Sequence, residues 1–401
     1  MPAAFLIAFQ IYYIGTSILT APAIPDPERQ EPPSVSESVP ISDTEPPPKN
    51  SGTITMAGDV MIYGKQFASA KTGDNTYDFT PFFSELGGIF RADCNIINLE
   101  TPIDAFGDNQ RISPYPYFNA PKELLPALES IGVDVCNIAN NHMIDFGFDG
   151  FLETAKNIDA SDLERLGGYT TPEEAGEHFI KEINGIRVGF VSYTWSLNGN
   201  YLPKDKSFIV RMGGQYKTLS YVQEGIREIK QAGAEFVVVS LHWGAEFSDT
   251  WAYGQPEIAK ALCEAGADVI MGHHPHVVQP IRKMRVTRED GTERESLVIY
   301  SLGNFFGYQR NMANTDQGMV VSVKFDRGDD GLVYITDSYY IPTFLRLVNE
   351  HWDSSSFRLI QLGQAVESGN DTGREAQYYG RIKRVVGDVI PCYGSIDDAP
   401  F

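Results

Sequence analysis

The residues able to do chemistry stand where apolar runs end. Thr53–Ala57 runs into Gly58-Asp59, and Asn95–Leu99 encloses Asn98 and stops at Glu100. Val133–Ala139 ends in Asn140-Asn141-His142, with Asp145 close behind. Glu235–Leu241 leads to His242-Trp243-Gly244 and Glu246, and Ala267–Met271 to Gly272-His273-His274-Pro275-His276. Leu297–Ser301 leads to Gly303-Asn304. Five of the seven histidines occupy these ends, and only His178 and His351 fall elsewhere. A single such histidine is ordinarily a satisfied polar group. Five of them beside Asp59, Glu100 and Asn141 are hard to attribute to packing, because burying so many polar groups uncompensated is costly. Metal coordination satisfies them together.

Imidazole with carboxylate, and no thiolate, suits Mn²⁺, Fe²⁺ or Zn²⁺ better than Ca²⁺ or Mg²⁺. His274 and His276 are two residues apart. In an extended segment both rings project the same way, to grip one ion or two neighbouring ones. Asp59 or Glu100 could bridge two ions at the ~4 Å spacing of two-metal hydrolases. Asn141 offers an amide oxygen. His142 is expected off the metal as a proton donor or charge stabiliser, with Asp145 orienting its ring. The competing reading of Asp145 is a cap on the helix expected near Gly150.

These positions need elements to hold them. Between the apolar runs, which also include Val188–Tyr193, lie helix patterns at Lys122–Ser130, Gly150–Ile158, Thr218–Ala232 and Pro256–Ala265. Pro256 suits a first helical turn, and Gly233 and Gly266 suit helix ends. Alternation of this kind predicts βαβ units and a largely parallel sheet covered on both faces, with ligands at the strands' carboxyl ends. Met319–Phe325 and Leu332–Tyr340 flank an Asp-Arg-Gly-Asp-Asp-Gly turn and predict an antiparallel hairpin. Beyond Asn349 the pattern fades, apart from a helix expected around Glu375–Val386.

Fifty-three acidic residues against 32 basic ones give a formal charge of −21. That argues against nucleic acid as a partner, since phosphate backbones need a basic face. An acidic substrate would require a bound cation or a local basic patch. Cys94, Cys136, Cys263 and Cys392 have neither metal-ligand nor redox spacing, and no disulfide framework is expected. Residues 1–23 read as a signal or membrane-anchor segment: Ala3 to Leu19 is mostly apolar, and Ala21-Pro22-Ala23 resembles a cleavage site. No Lys or Arg precedes Arg29, so the usual basic flank is missing. Residues 24–51, rich in Pro, Ser, Glu and Asp, cannot bury enough surface to offset ordering entropy and read as a tether. The folded domain is expected at 52–345, with 346–401 as its C-terminal extension, outside the cytoplasm, either secreted or anchored.

Gly-Asp-Val-Met at 58–61, Asn-Leu-Glu at 98–100, Ala-Asn-Asn-His at 139–142, His-Trp-Gly-x-Glu at 242–246, Gly-His-His-Pro-His-Val at 272–277 and Ser-Leu-Gly-Asn-Phe at 301–305 occur in this order. Together they resemble the bacterial capsule-synthesis family CapA, which includes the PgsA component of poly-γ-glutamate production. The likeness runs from about Gly52 to Ile341-Pro342-Thr343. That family in turn resembles the calcineurin-type metallophosphoesterases, which implies a layered α/β/β/α sandwich with mixed, largely parallel sheets. The resemblance implies one or two divalent ions held by Asp59, Glu100, Asn141, His242, His274 and His276, with His142 also on the pattern, and His142 with Asp145 is the expected catalytic pair. Met61 stands where the parent pattern has a histidine and Glu100 where it has an aspartate, so Glu246 or His273 is a candidate substitute ligand. Asn98 and Asn304 are further candidates. The resemblance implies an anionic capsule polymer or cell-envelope substrate and a membrane-bound polymer synthase complex as partners. The alternatives are an active phosphoesterase or amide hydrolase on envelope material, and a non-catalytic binding domain.

Overall fold

The first strand starts where the Pro-rich sequence gives way to alternating Thr and Ile. The computed structural model describes residues 50–212, 218–309, 311–371 and 373–401. The expected anchor, 1–23, and nearly all of the expected tether lie outside the described residues, and Ser51 already belongs to β1. The chain builds β1 (Ser51–Val60), α1 (Gly64–Ala70), a ribbon of β2 (Lys71–Gly73) and β3 (Thr76–Tyr77), then β4 (Cys94–Leu99), α2 (Leu124–Glu129), β5 (Val135–Asn137), α3 (Gly147–Asp159) and β6 (Glu164–Leu166). It continues through α4 (Pro172–Ala175), β7 (Phe179–Ile183), β8 (Ile186–Thr194), α5 (Thr218–Gln231), β9 (Phe236–His242), α6 (Gln255–Ala265), β10 (Val269–His273), β11 (Ile281–Thr287) and β12 (Glu293–Ile299). It returns with β13 (Asn304–Phe306), β14 (Gln317–Arg327), β15 (Val333–Leu347), β16 (Phe357–Gln361), α7 (Leu362–Glu367) and α8 (Arg374–Val386).

Two sheets result, not one. The first runs β16-β15-β14-β1-β4-β5-β6, with β13 alongside β1; the second runs β11-β12-β10-β9-β8-β7. Pairing is parallel through β1, β4, β5 and β6 and through β8, β9, β10 and β12. Antiparallel strands complete both sheets, so the sheets are mixed and largely parallel. The expected hairpin is β14–β15. The sheets pack face to face over a core containing Ile54, Met56, Ile96, Val238, Met271 and Val323. Phe236 of β9 stacks on Phe325 of β14 with ring centroids 4.5 Å apart. The other face of the first sheet meets α2 and α3, and the other face of the second meets α5 and α6. The layered α/β/β/α sandwich implied by the resemblance is what forms, in place of the single covered sheet expected from alternation alone, because a strand buried by helices on one side and a second sheet on the other carries the same apolar run.

Local sequence accounts for the joints. In α6, Pro256 occupies the first turn and Gly266, at φ 126°, ends the helix. Val222, Ile226 and Ile229 put the apolar stripe of α5 on the second sheet. Gly58 is required by close approach, since a Cβ there would lie 1.8 Å from the Gly303 carbonyl oxygen. That contact carries the Asp59 N–H to Gly303 O bond and sets Asn304 beside Asp59. Residues 346–401 belong to the same compact unit, with Leu362 and Ile382 in the inter-sheet core.

Candidate metal centre

The carboxyl ends of β1, β4, β9 and β10 converge where the two sheets meet at one edge. Asp59 comes from β1, Glu100 follows β4, His242 closes β9 and His273 closes β10 in register with it. All four are buried. His274 and His276 follow at φ 95° and 58°. The segment is therefore a left-handed turn, not the extended stretch expected. Its tight path sends the two rings to different partners, with ring centroids 5.9 Å apart.

Asp59 holds one edge of the cluster. Its Oδ2 lies 3.0 Å from His276 Nδ1 and its Oδ1 lies 3.1 Å from His273 Nδ1. Glu100 holds the middle: Oε1 lies 3.4 Å from His242 Nε2 and 3.8 Å from His276 Nε2. His242 Nε2 is in turn 3.1 Å from His274 Nδ1. Two overlapping sets of converging donor atoms follow, Asp59–Glu100–His276 and Glu100–His242–His274, sharing Glu100. A third set joins exposed Glu246 to His274 and His276.

The cluster fits a cation. Glu100 Oε1, Asn141 Oδ1 and Asn304 Oδ1 are buried oxygens without a hydrogen-bond donor. Such orphans are expensive unless a cation meets them. Electrostatics agree. Burial alone would raise Asp59, but hydrogen bonds and charge from His273 and His276 hold it far below the usual carboxylate range. Burial, reinforced by Asp59 and Glu246, pushes Glu100 well above that range. Burial depresses His242, and it depresses His274 to about 3, with neighbouring imidazoles adding to both. Both rings are thus neutral, as ligands must be.

Other candidates take supporting places. Asn98 Nδ2 donates to Asp59 Oδ1 at 2.8 Å and to Glu100 Oε2 at 3.1 Å, while its Oδ1 accepts from Asn137 and Asn140. Its side chain is occupied in aligning two carboxylates. Asn137 also accepts from Ser192 of β8, tying the sheets together under the site. His142 Nδ1 sits 2.8 Å from Asp145 Oδ2, and the His142 ring meets Phe118 edge-on. Asp145 also accepts from Phe118 N, and α3 starts at Gly147 without a side-chain cap. Above the cluster lies a cleft of about 430 Å³ lined by Met61, Tyr63, Tyr115, His142, Phe247 and Tyr308, among others.

Asn198 was not foreseen. It lies in a loop after β8, at φ 53°, where no periodic pattern marks it. Its Oδ1 accepts from Asn141 Nδ2 at 2.9 Å, and its Nδ2 lies 3.3 Å from His142 Nε2. It thereby anchors the Asn141 amide, whose Oδ1 is buried without a donor. Asn137 and Asn140 were visible as amides interrupting an apolar strand, a signal of buried polar networks. Asn198→Ala is expected to weaken metal binding roughly 10–100-fold, the usual cost of losing an orienting partner. Competition against a fluorescent chelator measures this, and unchanged affinity would remove Asn198 from the site.

All four cysteines are free, and among the described residues no helix is long and apolar enough to cross a membrane. The sequence matches the family described as bacterial capsule synthesis protein PGA_cap over residues 53–309. It is 29% identical over 272 residues to the capsule biosynthesis protein CapA of Bacillus anthracis, covering 67% of this chain and 62% of that protein. It is 26% identical over 296 residues to the PGA biosynthesis protein CapA of Bacillus subtilis strain 168, covering 70% of each. The chain thus spans less than two thirds of the first relative's length. Among solved structures it is similar to a calcineurin-like phosphoesterase of Bacillus subtilis at 14% identity and a TM-score of 0.41, covering 84% of this chain and 98% of that one.

Proposed function

Because the chain belongs to the bacterial capsule synthesis family PGA_cap, we propose that it serves the synthesis, export or processing of an anionic capsule polymer of the poly-γ-glutamate kind through a divalent-metal centre. The observation that carries the reading is the pair of donor sets sharing Glu100, with the orphaned oxygens of Glu100 and Asn141 beside them. Asp59, Glu100, Asn141, His242, His274 and His276 are the ligands of one or two ions. Imidazole and carboxylate donors without thiolate favour manganese, iron or zinc. Such an ion supplies Lewis acidity and lowers the pKa of bound water.

The protein's own groups supply the rest. Asp145 fixes Nδ1 of His142 and Asn198 steadies the ring at Nε2, so that the imidazole lining the cleft can hold or deliver a proton. Tyr63, Phe247 and Tyr308 limit water around a bound substrate. A proton-handling histidine clamped by a buried carboxylate favours hydrolytic processing over polymer binding alone. The apolar segment at 1–23 and the acidic Pro-rich stretch after it support attachment outside the cytoplasm, near a membrane-bound polymer synthase complex.

Purified full-length protein reconstituted with manganese, iron or zinc is expected to cleave γ-glutamyl amides or phosphoesters, and chelator should abolish turnover. Metal retention without turnover of either class would leave the non-catalytic binding domain as the reading.

A further inference from the structure

On the opposite face of the second sheet from the inter-sheet core, α5 covers a cavity of about 630 Å³ that shares no lining residue with the cleft over the metal centre. Its walls include Arg211, His178, Tyr193, Tyr221, Glu224 and Glu228. Arg211 Nη2 donates to the Ala175 carbonyl at 3.3 Å, and the phenols of Tyr169 and Tyr193 stand beside its guanidinium. The guanidinium also lies 5.8 Å from the Tyr169 ring centroid. A neutral carbonyl thus anchors it. Among the described residues no carboxylate pairs with it, and nearby Glu174 is taken by Arg165 at 2.8 Å.

α5 also lines the cavity with acidic residues. Glu224 pairs with Arg227 at 3.3 Å, whereas exposed Glu228 has no ion pair among the described residues. A cation and an anion therefore front one cavity without neutralising each other. Gly225 lets the Tyr193 hydroxyl and the Arg211 guanidinium approach α5 closely. A Cβ there would stand 2.0 Å from the Tyr193 hydroxyl and 3.1 Å from Arg211 Nη1.

We propose that this cavity binds an α-amino-acid group, an ammonium and a carboxylate on one carbon, with Arg211 taking the carboxylate and Glu228 the ammonium. A planar guanidinium flanked by phenols and anchored at one nitrogen can offer two parallel bonds to a carboxylate. A free amino acid and the amino end of a γ-linked glutamyl chain both carry this group. The chain-end source rests on the polymer reading above, and the free amino acid does not.

Calorimetric titration of the full chain, kept in chelator so that the metal centre contributes nothing, tests the site with glutamate, a γ-linked oligoglutamate and the same oligomer acetylated at its amino end. Glutamate should bind, and binding of the unmodified oligomer as well identifies the chain end as a ligand. Acetylation and Glu228→Gln should each weaken oligomer binding at least about tenfold, as loss of a charge-assisted contact does. Arg211→Gln should abolish binding, with Arg211→Lys recovering only part. Equal binding of the acetylated and free oligomers, or full binding by E228Q, would overturn the assignment, as would no binding of glutamate by wild type. Binding seen only after metal is restored would place the ligand at the metal centre and also overturn it.

Discussion

Alanine at both His274 and His276 is expected to strip the protein of metal while leaving its sheets intact. The two rings enter all three converging donor sets, so their loss leaves neither overlapping set complete. The affinity loss should exceed the roughly 10–100-fold typical of an outer partner, because ligand atoms themselves are removed. The fold should survive: both residues follow β10 in a turn, and neither belongs to the hydrophobic cores. Removing them also relieves His242 of a buried neighbour at 3.1 Å. Elemental analysis after equilibration with metal, beside circular dichroism, reads both outcomes. Full metal retention by the double variant would refute the centre. In wild type, His242 and His274 are already neutral, whereas elevated Glu100 must give up its proton to a cation. Binding should therefore draw a proton off Glu100 and weaken as pH falls through its raised range.

His142→Asn is expected to separate metal binding from turnover. The ring lies outside the donor sets, is clamped at Nδ1 by Asp145 and faces the cleft. Asparagine occupies part of the same space but cannot hold a proton for transfer near neutral pH. Hydrolysis should fall by about 10²–10⁴, the usual contribution of a positioned acid or base, with metal stoichiometry unchanged. Asp145→Asn should lower turnover less, because the histidine remains and loses only its anchor. Loss of metal from H142N would make His142 a ligand and end the division of roles proposed for it.

Much of this was legible in the residues because the fold's demands are local. Apolar runs of strand length, Pro256 and Gly266 at the ends of α6, and the turn between β14 and β15 are short-range signals. Polar residues stacked at strand ends, such as His242 or His273 and His274, break a pattern that burial alone would keep apolar. They were visible without knowing what lay opposite. Short edge and connecting strands such as β6, β13 and β16 were not, since few residues offer little periodicity.

The sequence by itself determined which side chains were available for a cation and that helices and strands would alternate to carry them. Only the tertiary structure decided that the candidate ligands come from two sheets, with Asp59 and Glu100 from one and His242, His274 and His276 from the other. An apolar strand looks the same whether a helix or a second sheet covers it. Left-handed backbone at His274 and His276, not alternation along a strand, sets the directions of their rings. Asn198 gained its place through contacts 56 and 57 residues away in the chain, which no local pattern encodes. The close approach of Gly58 to Gly303 likewise joins distant segments, and through it Asn304 reaches Asp59. Residue chemistry is carried by each side chain alone, whereas coordination geometry depends on which backbones can approach one another, and packing settles that.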